Sequence, residues 1–246
     1  MDSSLVSDLP VQVRSARTTF EKWYFVLRLF ISCFFMAILI ANSLTGMALP
    51  HTETSCLWDA LFVFTSDLNA HFADNEFQRH LLLIFSSALI DFQVLCLAFR
   101  YVVSGKSWRT PIALFSFYLI RALVQGLFIM KFPEGYLWDD PGVFSLAVSY
   151  HRTPDFFFSG HLGFTIICAC ENQGLKRPRL ALLSLITAVV EACVMVVLRG
   201  HYTIDLIAGV VFGHYCWILS GVASKPLDKK MKGLLLEPKN EYIRLA

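Results

Sequence analysis

Charged side chains are scarce in this chain. It carries 21 basic and 19 acidic residues in 246, or 16%, where a soluble domain carries about 25%. Apolar residues make up 56% and the mean hydropathy is +0.56, a surplus that calls for a bilayer rather than an aqueous surface. An excess of one sign of charge is lacking too. The net charge is only +2, and no basic stripe is interleaved with aromatics, so nucleic acid is excluded as a partner. Thiols at useful spacing are missing as well. Of the seven cysteines, Cys33, Cys96, Cys168, Cys170, Cys193 and Cys216 fall inside apolar runs, and only Cys56 sits in a polar stretch. Thiols in apolar runs pack as small hydrophobes, and the Cys168, Cys170 pair has no companions at metal-ligand spacing. No disulfide framework, metal site or cofactor is expected. The sequence shows no internal repeat or low-complexity tract.

What is present is a series of long apolar runs. A span needs about 20 mainly apolar residues at 1.5 Å each, and six segments approach that: Trp23 to Met47, Leu81 to Phe99, Pro111 to Met130, Phe156 to Cys170, Leu180 to Leu198 and Thr203 to Val222. The fourth is short, so it starts in the interface or continues to Asn172. The first is too long for a signal-peptide core and is expected to stay as an anchor. The predicted fold is an all-α membrane protein, a six-transmembrane helix bundle. It divides into an N-terminal arm (1–22), a six-span domain (23–224) and a basic tail (225–246).

Orientation follows from where basic residues collect. Arg14, Arg17 and Lys22 precede the first span, Lys106 and Arg109 follow the second, and Lys176, Arg177 and Arg179 follow the fourth. The tail holds Lys225, Lys229, Lys230 and Lys232. The alternate loops are acidic, with Glu53, Asp59, Asp67, Asp74 and Glu76 in one and Glu134, Asp139, Asp140 and Asp155 in the other. Span parity and loop charge agree on cytosolic termini and acidic loops facing the lumen or exterior. The tail lysines serve as a topogenic cluster or bind anionic head groups. Leu57 to Phe72 reads as an interfacial helix on the luminal face.

Two short segments interrupt the apolar pattern at that same face. One is Pro154 to His161, containing Ser159-Gly160-His161; the other is Arg199 to Asp205. His201 and Asp205 are four apart, so on a helix they share a face. A carboxylate so placed accepts a hydrogen bond from one imidazole nitrogen and leaves the other free to attack or exchange a proton. His161 supplies the second half, a group that protonates a leaving oxygen and later accepts a proton from an incoming hydroxyl. Ser159 and Gly160 permit a tight helix start with backbone N–H groups facing an anion. Arg199 offers a fork of donors to a phosphate. Two histidines and a carboxylate suit phosphoryl transfer without a metal, and the acidic face makes the predicted active site luminal.

SGH followed after one hairpin by RGHYTID resembles the lipid phosphatase and phosphotransferase superfamily, with the HYTID block nearer its sphingomyelin synthase branch. From about Phe115 to Gly213, including the Arg121 region, FSGH and RGHYTIDLIAG, the chain is similar to the plant phosphatidylcholine:diacylglycerol cholinephosphotransferases. The N-terminal half matches in span pattern alone. The resemblance implies a triad of His161, His201 and Asp205. In it, His201 attacks the donor phosphorus, a head-group phosphohistidine forms, and His161 protonates departing diacylglycerol before deprotonating the acceptor. It further implies phosphatidylcholine and diacylglycerol as lipid partners, or ceramide as acceptor, and residence in the endoplasmic reticulum or the Golgi. The superfamily's phosphatases carry KxxxxxxRP and PSGH elements. Neither is evident, and Phe158 stands at the proline position, which argues against a plain phosphatase.

Three charges lie inside apolar runs: Asp91, Arg121 and Glu191. An unpartnered charge there costs about 2.5–3.5 kcal/mol on insertion scales. Asp91 and Arg121 are at matching depth, so Arg121 either pairs with Asp91 or lines a cavity and binds the lipid phosphate. Glu191 either contacts a choline ammonium or is a neutral structural acid. Asp155 either caps the following helix or faces a choline. Tyr136, Trp138, Tyr150, Phe156, Phe157 and Phe158 fit an interfacial belt, the alternative being a cage for a quaternary ammonium.

Overall fold

The computed structural model describes residues 11–45, 57–127, 130–150 and 156–236. Among them every regular element is helical: α1 Val11–Thr45, α2 Ala60–Phe64, α3 Ser66–Asp74, α4 Glu76–Ser104, α5 Arg109–Leu127, α6 Gly160–Gly174, α7 Pro178–Val197 and α8 Thr203–Leu236. Four of these, α4, α5, α7 and α8 as far as Met231, are long and apolar enough to cross a membrane. Large apolar side chains such as Phe92, Phe99, Leu123, Val189 and Val222 point outward along them, as lipid-facing surfaces require.

The fourth expected segment differs most from its sequence reading. Its helix starts at Gly160 rather than Phe156 and runs to Gly174, 15 residues or about 22 Å. The reason lies in its surroundings. α6 sits among α4, α5, α7 and α8, with Leu162, Gly163, Phe164, Thr165, Ile167, Cys168 and Ala169 all buried. Its apolar residues therefore meet protein instead of lipid, and its length need not match the bilayer.

Small residues let α8 come close to α6. A Cβ at Gly209 would lie 2.6 Å from the Ser159 carbonyl oxygen, and one at Gly213 would lie 2.6 Å from the carbonyl oxygen of Gly163. The backbones are in contact at two successive turns, the packing that small-xxx-small spacing permits. At the opposite end Asp228 on α8 accepts hydrogen bonds from the Ser107 hydroxyl (2.6 Å) and the Trp108 backbone (2.8 Å). The basic tail is thus helical beyond the expected span end, with Pro226 inside it. Arg28 of α1 donates to the carbonyls of Tyr101 and Gly105 at the end of α4.

Between α5 and α6 the described residues 130–150 are irregular, and part of them folds into the bundle. Asp91 accepts from the Ser145 hydroxyl and from the backbone N–H groups of Leu146 and Ala147, each at 3.0 Å. Asp91 therefore does not pair with Arg121. Non-helical backbone at membrane depth needs such protein partners for its polar groups.

Candidate active site

Asp205 organises the end of the bundle that carries both histidines. It sits in the first turn of α8 and is fully buried. One oxygen accepts from His201 Nδ1 at 3.1 Å and from the Tyr202 backbone at 3.0 Å; the other accepts from the Phe157 backbone at 2.9 Å. Its own carbonyl accepts from the Ser159 backbone at 2.9 Å. A single residue thus ties the SGH turn to the RGHYTID turn, which lie about forty residues apart in sequence. His201 is itself buried, packed edge-on against Phe156 with ring centroids 6.0 Å apart.

Both turns carry backbone that L residues rarely adopt. Phe157 has φ +86° and Arg199 φ +57°, and a bulky residue there costs about 1–2 kcal/mol. At Arg199 the geometry is a Schellman close of α7. Gly200 N donates to the Met195 carbonyl (2.9 Å) and Arg199 N to the Val196 carbonyl (3.3 Å), so arginine occupies the position that glycine usually takes. The turn aims its guanidinium at α2, where Nη2 donates to the Phe62 carbonyl at 2.6 Å and Cζ lies 4.2 Å above the Phe62 ring. Nε and Nη1 are buried and make no hydrogen bond. Burial holds the Arg199 pKa below the ordinary arginine value, against the opposing field of Asp59.

His161 lies in the first turn of α6, whose N-cap is Ser159, with the cap hydroxyl accepting from Leu162 N. Its ring meets Trp138 edge-on, centroids 5.8 Å apart. The same Trp138 ring would be 2.8 Å from a Cβ on Gly200, so one indole spans the space between the two turns. Arg121 reaches the same helix start: Nε donates to the Phe158 carbonyl at 3.1 Å, and a Cβ on Gly160 would be 3.3 Å from it. The guanidinium and the positive end of α6 thus reinforce each other beside His161.

The aromatics depart from the belt reading. Trp138, Phe156 and Phe158 are buried, and Phe156 packs against Phe132, His201 and Tyr202. They wall the site from inside instead of meeting lipid head groups. Tyr150 stacks at a tilt on Trp138, and burial pushes its phenol up to about 12. Burial also raises the Asp139 carboxyl, but the hydrogen bonds and charge of Arg79 outweigh it and leave the pKa lowered. Asp139 receives Arg79 Nη2 at 2.8 Å and anchors the loop next to Trp138.

Two residues of the site give no local sequence signal. Asp59, read above as one more acidic loop charge, caps α8: its carboxylate accepts from Thr203 N and from the Thr203 hydroxyl, both at 2.7 Å. Asn69 on α3 donates to the carbonyls of Gly135 (2.9 Å) and Val197 (2.8 Å). Both act across more than sixty positions, beyond any local pattern. Asp155 lies outside the described residues.

Glu191 is one helical turn deeper than Met195, whose sulfur takes the Ser159 hydroxyl at 3.4 Å. It is fully buried, and both of its oxygens are within 2.9 Å of the Ser86 hydroxyl. One hydroxyl has one proton to give, so the second contact is a hydrogen bond when the acid carries its own proton. Glu191→Gln, which keeps one donor and one acceptor, is expected to leave the melting temperature nearly unchanged, whereas Glu191→Ala strands Ser86 and costs about 1–3 kcal/mol. Thermal midpoints of the two variants check this.

The AtPDCT1/2 family model matches residues 58–222, which covers every described residue of this site. Two curated relatives from Arabidopsis thaliana are similar to the chain. Phosphatidylcholine:diacylglycerol cholinephosphotransferase 1 is 27% identical over 176 residues, covering 72% of this chain and 57% of the relative. Phosphatidylcholine:diacylglycerol cholinephosphotransferase 2 is 26% identical over 184 residues, covering 74% and 60%. The chain thus spans less than two thirds of the length of either. No solved structure matches it.

Proposed function

The chain belongs to the AtPDCT1/2 family, and on that footing we propose that it is an integral-membrane transferase moving phosphocholine from phosphatidylcholine to diacylglycerol. The names of its two relatives support the substrate pair. The observation that carries the reading is Asp205, which accepts from His201 Nδ1 and from the backbone of the SGH turn together. With Nδ1–H held by the carboxylate, the Nε2 lone pair is left as nucleophile.

In the proposed cycle Nε2 of His201 attacks the donor phosphorus and the bond to the diacylglycerol oxygen breaks. His161 gives that oxygen its proton. An incoming diacylglycerol then yields its hydroxyl proton to His161 and attacks the phosphohistidine, breaking the P–N bond and freeing His201. Arg199, through Nε and Nη1, and Arg121 with Gly160 at the start of α6 balance the phosphate charge, while Ser159 caps that helix. Trp138 and Tyr150 offer ring faces to the choline ammonium, and Asp155 precedes the same turn in sequence. Glu191 supports α7 against α4 beneath the site. The membrane domain spans residues 23–224 as six segments, with cytosolic termini and the site facing the lumen of the endoplasmic reticulum.

The test is to incubate the purified chain in micelles with phosphatidylcholine labelled in its head group and either diacylglycerol or ceramide. Label in newly formed phosphatidylcholine is the expected result, with the rate unchanged by a chelator. Label in sphingomyelin reassigns the acceptor, and label released only to water overturns transfer. A chelator-induced loss that added metal restores would refute the histidine mechanism.

A further inference from the structure

α2 and α3 have two dissimilar faces. The inward one is made of Asp59, Phe62, Thr65, Asn69 and Phe72; Thr65 and Asn69 are buried and the other three half-buried. Asp59 holds Thr203 at the start of α8, and the Phe62 ring lies 5.5 Å from that of Tyr202. The outward face of α2 is unlike any aqueous helix surface. Trp58 is 77% exposed, Val63 58% and Phe64 86%, with Leu61 beside them. A five-residue helix gains nothing in water from displaying three large apolar groups with a fourth, Trp58, just before it.

Exposed apolar side chains also line the membrane-length helices beside α2. Ile204, Ile207 and Val211 are exposed on α8, starting one residue after Thr203, and Phe77, Leu81 and Phe85 are exposed on α4. Past Thr65 the outward residues become mostly polar, with Asp67, His71 and Asp74 exposed on α3 around one large apolar side chain, Leu68. Apolar bulk giving way to charge within two turns is the profile of a segment lying at the boundary between acyl chains and head groups.

We propose that α2, with Trp58 just before it, is a membrane-surface anchor in which Trp58, Leu61, Val63 and Phe64 insert among the acyl chains of the leaflet on the histidine side, and that through Asp59 and Phe62 this insertion holds the His201 turn in place. The anchor stands apart from the transferase reading; its effect on the turn rests on that reading. Insertion from one face and hydrogen bonding from the other make α2 the wall between the site and the leaflet that supplies its lipids.

The experiment uses the full chain in phosphatidylcholine vesicles. Trp58 emission is obtained as the difference between the wild type and Trp58→Tyr, which leaves the other four tryptophans common to both. Quenching is measured with phosphatidylcholine brominated near the head-group end of its acyl chains, and with aqueous iodide. Strong quenching by the brominated lipid and shielding from iodide are expected. Iodide quenching with indifference to the brominated lipid overturns the anchor. For the coupling, Phe64→Asp is expected to lower transfer by roughly tenfold or more and Phe64→Leu to restore it; full transfer by a folded Phe64→Asp chain overturns that half. Should the wild type show no transfer at all, the transferase reading fails, while the fluorescence still decides the anchor.

Discussion

A His201→Ala chain is expected to lose head-group transfer by roughly 10³-fold or more while its thermal midpoint moves little, because the imidazole contributes one hydrogen bond to the buried network and Asp205 retains the backbone donors of Phe157 and Tyr202. Asp205→Asn separates position from proton placement. Its amide has one acceptor oxygen where the carboxylate has two. With oxygen facing Phe157 N, the amide N–H₂ meets Tyr202 N–H and forces His201 to accept at Nδ1, which moves the ring proton to Nε2 and removes the nucleophilic lone pair. With oxygen facing His201, the N–H₂ meets Phe157 N–H at a residue already held at φ +86°. Either way transfer should fall by about 10²–10⁴-fold. Rates measured with labelled phosphatidylcholine, beside melting curves of the same preparations, check both variants. Near-normal transfer by His201→Ala would remove the histidine from the mechanism.

Much of this site was legible because its chemistry is local. His201 and Asp205 are four apart at a helix start, and that spacing alone predicts the hydrogen bond found at 3.1 Å. Ser159 as the cap of the helix bearing His161 follows from the same kind of short-range rule. What could not be read is set by tertiary approach. Asp91 was matched to Arg121 by depth, yet it caps an irregular loop more than fifty positions away, because backbone N–H groups folded into the bundle are the more demanding partners. By composition the aromatics fit a lipid interface or, alternatively, an ammonium cage. Trp138 and Phe156 instead fill the space between the two turns, a role fixed by loop path rather than by residue type. Likewise α6 is shorter than a membrane span because it is enclosed by other helices, and no pattern within its own 15 residues reports its neighbours.

Gly209→Ala carries the second large effect, though it removes no polar group and lies a full turn beyond Asp205. The added methyl would sit 2.6 Å from the Ser159 carbonyl oxygen and 3.3 Å from its nitrogen. That backbone cannot retreat freely, since Ser159 N is bonded to the Asp205 carbonyl and Ser159 caps α6. α8 must therefore move away from α6, and Asp205 moves with it while His161 stays behind. Overpacking of this kind costs about 1–3 kcal/mol of stability, and a displacement near 1 Å between reacting groups costs about 10²-fold in rate. The expected outcome is a chain with a modestly lowered melting temperature and a disproportionate loss of transfer. Gly126→Ala is the control, because a Cβ there meets nothing within 4 Å and alanine favours the helix by about 0.8–1 kcal/mol; it should keep full activity with an equal or higher midpoint. Full transfer by Gly209→Ala would show that the α6–α8 approach does not set the distance between the two histidine turns, and catalytic spacing would then have to come from the loop carrying Trp138.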